Sequence, residues 1–349
     1  MTMMLDKFLP NRALVLFAAL LVAFFAHAET DAVAQDEVLL KNGSRILGTV
    51  TSSRNGVVTI DTDFAGTIDV HLDQIKSVNT LEPVVILLAD ETVERDSSLV
   101  ITEEELVLSE PGQSYPLDDL KVLNPEPWEM GQGYRWTGSL GFALVRQRGN
   151  TDTDELDYKL ESKWRSVEDR YTIQASGELD ESNGTKTADN WRVSGKYDYF
   201  LEDPNYVGML VQAEKDKFQD LDLRYLVGPY FGRQFYDEPV FSLQGELGFS
   251  YVSEEFNLAE DDDYGASNWS IAASSDYLGG DSSLYFNQNG IWNLKDTSDV
   301  IVNSTFGLSY PLLWQIEAAV EVLFEYDSGA VDDVDSLDQT YKFRLGYTW

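Results

Sequence analysis

From Tyr134 to Trp349, apolar and polar residues alternate with a period of two. The last nine positions show it most clearly. Tyr341, Phe343, Leu345, Tyr347 and Trp349 share one phase, and Lys342, Arg344, Gly346 and Thr348 share the other. Successive side chains of a strand point to opposite faces, so each phase is one face of a sheet. Equivalent segments run back along the chain. Among them are Trp136, Leu140, Phe142 and Leu144; Val193, Tyr197 and Tyr199; Leu247, Phe249 and Tyr251; Phe306, Leu308 and Tyr310; and Trp314, Ile316, Val320 and Val322. The pattern predicts about twelve antiparallel strands.

Either a protein core or lipid could receive the apolar faces. The apolar phases contain no Asp, Glu, Lys or Arg, although a quarter of the whole chain is charged. A Lys or Arg facing lipid near the bilayer midplane costs about 2–4 kcal/mol, a penalty that clears charge from that phase. The aromatic residues that close the final strand suit an interfacial girdle. The expectation is therefore all-β: a transmembrane antiparallel barrel of about twelve strands over residues 125–349. Polar stretches at 180–187, 254–264 and 326–338 read as longer loops at one rim. Glu202–Asn205, Tyr236–Pro239, Gly279–Asp281 and Pro311 read as tight turns at the other. Short periplasmic turns and longer outer loops are the usual arrangement, with the segment before the barrel on the periplasmic side.

That preceding segment has two parts. Lys7 and Arg12 lead into an apolar run from Ala13 to Phe25, followed by Ala26-His27-Ala28. A basic start, an apolar core and a small-x-small end predict a signal peptide over residues 1–28. The run falls short of the ~20 residues a spanning helix needs. Residues 29–124 read as a small β-domain of two repeats, about 36–80 and 81–124. Leu72-Asp73-Gln74-Ile75-Lys76-Ser77-Val78-Asn79 matches Leu117-Asp118-Asp119-Leu120-Lys121-Val122-Leu123-Asn124, with Leu, Asp, Lys and Asn identical. Asn42-Gly43 and Asn55-Gly56 are hairpin signals, so each repeat reads as a small barrel-like unit. Asn124-Pro125-Glu126-Pro127-Trp128 reads as a stiff linker, because its prolines cannot join a central strand.

Composition narrows the chemistry. The net charge of the 349 residues is -36, which repels a phosphate backbone and argues against nucleic acid. The 18 Tyr, 17 Phe and 8 Trp argue for an ordered chain despite that acidity. Absence of Cys removes disulfides, thiolate metal sites and a cysteine nucleophile. The histidines are His27 and His71, both ahead of the barrel, so a barrel-borne hydrolase using histidine as base is argued against. No Walker loop, dinucleotide fingerprint or His-bearing zinc motif occurs, and we expect no enzyme activity, cofactor or resident metal. The acidic stretches Glu254, Glu255, Glu260–Asp263 and Asp327, Asp332, Asp333, Asp335, Asp338 lack EF-hand spacing and read as solvated loops.

The polar phases supply the candidate site. Inward-facing candidates are Glu155, Asp157, Lys159, Glu161 and Lys163 on the second strand, and Arg192, Lys196 and Asp198 on the fourth. Arg224 and Glu246 follow, then Glu317, Glu321 and Glu325 on the eleventh strand and Lys342 and Arg344 on the last. Glu178 and Glu214 belong to the same phases. Such a lining suits a water-filled lumen with a cation bias, with the eleventh-strand glutamates facing Lys342 and Arg344 across one seam. It also suits a plug of paired side chains, because twelve strands lie between filled and open barrels.

Arg148-Gly149-Asn150-Thr151-Asp152-Thr153 on the first hairpin, with Tyr197-Asp198-Tyr199-Phe200-Leu201, resembles the family of salt-induced outer-membrane proteins, domain of unknown function 481. The resemblance covers roughly Tyr134 to Trp349 and implies location and fold; it supplies no catalytic residues. It implies the outer membrane of a Gram-negative bacterium; the rim with the tight turns, together with the signal peptide, is what puts the N-terminal domain in the periplasm. Expected partners are outer-membrane lipid and lipopolysaccharide, the export and barrel-assembly machinery, and a periplasmic protein for the N-terminal domain. Expected roles are a narrow passive pore for ions or small solutes, linked to salt or envelope stress, or a non-conducting envelope barrel whose periplasmic domain binds a partner.

Overall fold

The computed structural model describes residues 35–102, 105–108, 112–147, 153–238, 240–279, 282–329 and 336–349. The signal-peptide pattern, residues 148–152 of the first-hairpin motif, and Asp332, Asp333 and Asp335 lie outside the described residues. The chain divides into two compact units, Met1–Asn124 and Pro125–Trp349.

The first unit is a curled antiparallel sheet. Among the described residues its strands are β1 (Asp36–Leu40), β2 (Arg45–Arg54), β3 (Val57–Thr62), β4 (Gly66–His71), β5 (Ile75–Asn79), β6 (Val84–Leu88), β7 (Val93–Ser97), β8 (Leu99–Ile101), β9 (Glu105–Leu108), β10 (Ser114–Pro116) and β11 (Leu120–Leu123). The repeat seen in the sequence has a structural counterpart. Leu72–Gln74 and Leu117–Asp119 each form a single 3-10 turn that delivers the last strand of its repeat, β5 or β11. Those last strands bridge the repeats: β5 pairs β1 of its own repeat and β8 of the second, and β11 pairs β6 of its own repeat and β2 of the first. The two repeats therefore share one sheet and one core, where Val38, Val58, Ile60, Ile86, Leu99 and Leu123 are among the buried residues. Asp36 is the buried acid there; its carboxylate accepts the backbone N–H groups of Val50 and Leu81, each at 2.8 Å.

The second unit is a closed barrel. Among the described residues twelve strands follow one another around it: β12 (Arg135–Gln147), β13 (Thr153–Arg165), β14 (Asp169–Ser182), β15 (Thr185–Phe200), β16 (Asn205–Asp216), β17 (Leu221–Glu238), β18 (Phe241–Phe256), β19 (Asp262–Ser275), β20 (Ser283–Asn293), β21 (Val300–Pro311), β22 (Ile316–Asp327) and β23 (Leu337–Thr348). The ring closes where β23 meets β12, over Ser139–Phe142 against Leu345–Thr348. One further pair follows, in which Gly138 and Trp349 exchange backbone hydrogen bonds at 3.0 Å. No described helix is long and apolar enough to cross a membrane, which bears only on helices.

Several details differ from the sequence reading: Tyr236–Glu238 and Pro311, read as tight turns, belong to the ends of β17 and β21. The 180–187 stretch is strand almost throughout, with a two-residue turn at Asn183-Gly184 whose φ values of 51° and 78° fit a tight hairpin. Trp314 lies in the turn before β22, with positive φ, rather than on the apolar phase of that strand.

The barrel is apolar outside and polar inside. Leu247, Phe249 and Phe343 are 59%, 65% and 61% exposed on the outer wall, while Asp198, Glu214, Arg224 and Glu321 are buried within. Aromatic residues gather at the rim that holds both ends of this unit. Tyr134 packs edge-on against Tyr171, Trp136 against Trp349, and Trp136 stacks on Trp164 at 6.3 Å.

Candidate functional site

The inward phases of neighbouring strands converge on chains of ion pairs. One starts at Glu178 on β14, which meets the Lys342 ammonium at 3.0 Å. Lys342 also meets Asp157, Asp157 accepts from Arg344, and the Arg344 Nε donates to Glu321 at 2.5 Å. Glu321 accepts from Lys159 at 2.9 Å and from the Tyr285 hydroxyl at 2.8 Å. The chain passes from β23 to β13 across β12, whose inward residues Ser139, Gly141 and Ala143 are small enough to let long side chains lie over them. Tyr285 needs the same clearance: a Cβ on Gly307, its cross-strand neighbour, would strike its ring.

A second chain runs along the opposite wall. Arg192 on β15 donates to Glu214 on β16. Arg224 on β17 donates to Glu214 and to Glu254 on β18, each at 2.5 Å, and Tyr264 donates to Glu254 at 2.9 Å. A third pairs Arg170 with Asp198 at 2.6 Å and Lys196 with Glu246, with Tyr206 donating to Glu246 at 3.0 Å. Between them Leu226, Val252, Tyr264 and Ala266 form a small apolar cluster inside the barrel. Buried charges persist only when paired, and here each chain balances its acids with its bases.

The remaining sequence candidates lie as follows. Glu161 pairs with Lys163 at 2.7 Å and accepts from Gln174. Among the described residues Glu155, Glu317 and Glu325 join no ion pair; Glu325 lines a cavity of about 140 Å³ that also touches Arg192, Arg224, Glu254, Asp299 and Asp338. The expected seam of three glutamates against Lys342 and Arg344 is thus reduced to Glu321, because Asp157 and Glu178 take the other donors. Glu254 is not a loop residue: β18 runs to Phe256, so Glu254 sits inside the wall on Arg224. Sequence reasoning also missed Arg170 and the inward tyrosines 206, 230, 264 and 285. Their signal is phase: each falls out of step with the outward apolar set of its strand.

The family model described as a protein of unknown function, DUF481, matches residues 140–349. The chain belongs to this family. The Escherichia coli (strain K12) uncharacterized protein YdiY is 21% identical over 188 residues, which is 52% of this chain and 74% of that protein. Solved structures it is similar to include the NanC porin (13% identity, 61% of this chain and 98% of that one, TM-score 0.39). The translocator domain of the autotransporter NalP from Neisseria meningitidis is another (8% identity, 63% and 88%, TM-score 0.35). The outer-membrane channel DcaP of Acinetobacter baumannii is a third (7% identity, 90% and 94%, TM-score 0.32). The family match lies within the barrel unit, where every ion-pair chain described above is found.

The lumen is not filled evenly. Across β15–β19 the inward residues Ser194, Asp198, Glu214, Arg224, Ser250, Val252 and Asn268 are all buried. Along β13, β14 and β20 other inward groups meet solvent: Lys159 keeps 43% of its side chain exposed, and Gln174 and Asn289 are exposed. Ser270, Asn287, Asn303 and Thr305 beside Asn289 are uncharged and half-buried.

Proposed function

We propose that the barrel spans the outer membrane and passes ions or small polar solutes through a narrow, water-filled lumen. The observation that carries the reading is solvent exposure of inward groups at mid-wall, Lys159 and Asn289, behind an outer wall of exposed apolar residues. Lipid stabilises that outer wall, and a polar lining hydrates the lumen. In this reading the N-terminal sheet faces the periplasm, export and barrel-assembly machinery place the chain, and outer-leaflet lipid and lipopolysaccharide surround it. Catalysis is no part of it, and a link to salt or envelope stress rests on the family resemblance. Planar-bilayer recording of the full mature chain tests the proposal: discrete conductance steps support it, and silent insertion of folded barrels overturns it. The buried chains around Glu321 and Asp198 favour a second reading, a closed barrel whose N-terminal sheet binds a periplasmic partner, and silent insertion is the result it requires.

A further inference from the structure

Resting on the pore reading, we infer that Lys159 and Arg192 set the charge selectivity of the lumen. Each is the cationic end of its chain and its most solvent-exposed member; the acid it pairs with is buried, and Glu178 at the far end of the first chain is 27% exposed. In the first chain Glu178, Asp157 and Glu321 are matched by Lys342, Arg344 and Lys159. Lys159 is the exposed base, at 43%, against 10% for Lys342 and 8% for Arg344. In the second, Glu214 and Glu254 are matched by Arg224 and Arg192, with Arg192 37% exposed and both acids under 10%. A permeating ion therefore meets two positive tips whose own partners, Glu321 and Glu214, lie behind them in the wall, while Glu178 at the far end of the first chain is less exposed than Lys159. This reverses what composition suggests. The chain carries -36 overall, yet the middle of the lumen is balanced and offers its cations to water. Fixed charge at close quarters decides which ion enters a narrow passage, so these two side chains hold back the cation preference that unpaired Glu155 and Glu325 would otherwise impose.

Removing either tip uncovers one buried negative charge without orphaning it. Glu321 keeps Arg344 and Tyr285, and Glu214 keeps Arg224 and Gln212. The test is the reversal potential of single channels of the full mature chain in a KCl gradient. Lys159→Gln and Arg192→Gln should each raise the cation-to-anion permeability ratio severalfold. The double variant should raise it further, Lys159→Glu further than Lys159→Gln, and Lys159→Arg should leave it as in the native chain. Lys186→Gln serves as a control, because Lys186 pairs with Asp189 on the outer wall and should not move the ratio. Heat-dependent migration on detergent gels checks that each variant is folded. An unchanged ratio in folded Lys159→Gln and Arg192→Gln channels overturns the inference and leaves the pore standing. Absence of conductance in the native chain overturns the pore reading itself, and the inference with it.

Discussion

The two units of this chain use the same strand alternation in opposite senses. In the N-terminal sheet the apolar phase turns inward: Val38, Val58, Ile60, Ile86, Leu99 and Leu123 are all completely or almost completely buried. In the barrel the apolar phase turns outward, and the most deeply buried large side chains include Glu321. A sheet's pleat separates two faces but does not say which one is inside. The surroundings decide. Where water is outside, burying aliphatic groups stabilises the fold, at about 25 cal/mol per Å². Where lipid is outside, that gain is already met at the surface. The interior then takes polar groups, and its cohesion comes from hydrogen bonds and ion pairs. Charge separates the two even in sequence: the mid-strand apolar positions of the barrel contain none, and charge reaches the outward face towards strand ends, as at Asp189 and Lys215.

The largest effect should come from breaking the barrel's polar interior. Glu321→Ala removes the acceptor shared by Arg344, Lys159 and Tyr285. Arg344 then keeps only Asp157, which it shares with Lys342, so the buried chain holds one more base than it has acids. Removing one partner from such a buried set costs about 3–5 kcal/mol. Urea unfolding of the barrel in detergent micelles should move to lower denaturant by that amount. A loss under 1 kcal/mol would mean the chain is hydrated rather than a core. The N-terminal counterpart is Ile60→Ala, which opens a cavity in an aliphatic core. It should destabilise that unit by about 2–5 kcal/mol and leave heat-dependent migration of the barrel unchanged. Joint loss of both units from this single change would show that they do not unfold separately.

The outer wall provides the next step down. Leu247 and Phe306 are 59% and 50% exposed on its lipid-facing phase. Replacing either with Arg should cost about 2–4 kcal/mol in lipid vesicles. Measured in micelles thin enough to rearrange around the charge, the cost should shrink. An equal, small cost in vesicles and micelles would count against a membrane outside this wall.

Most of the strand registers were legible because alternation is a local property of sequence. The phase of Tyr341 to Trp349 can be read without knowing any partner strand. What stayed hidden depends on long-range neighbours. Glu254 reads as one acid among several until Arg224, thirty positions away in sequence, is placed beside it. Tyr206 has the phase of an inward residue, but its neighbours cannot be read from its own strand. In the structure it lies inward against Gly232, where a Cβ would strike its ring. The bridging of the two repeats by β5 and β11 is likewise invisible, because it rests on pairings between strands far apart in sequence. Glu317, Glu321 and Glu325 share a phase, yet only Glu321 pairs, because β12's small residues allow Asp157 to reach Arg344 and Lys342 first.

The smallest expected effect lies on the neutral arc of the lumen and is the sharpest contrast with the N-terminal core. Asn303 on β21 points inward, is half-buried, faces Asn289 on one side and Glu325 on the other, and lines the cavity beside Arg192 without joining an ion pair itself. Ile60 also points inward, but into a closed aliphatic core. If the barrel interior at Asn303 is wet, Asn303→Ser exchanges one hydrated polar group for another, and the stability change should stay within about 0.5 kcal/mol. If that arc is dry, the shorter side chain leaves buried polar groups without partners, and the cost should reach about 1–3 kcal/mol. Melting of Asn303→Ser in micelles, set beside Ile60→Ala in the N-terminal unit, therefore asks whether two inward positions in one chain face different media. A near-zero loss at Asn303 with a large loss at Ile60 is the result a hydrated lumen requires. Similar losses at both would mean that the barrel is packed through, and that the exposed tips of Lys159 and Arg192 open onto pockets rather than a passage.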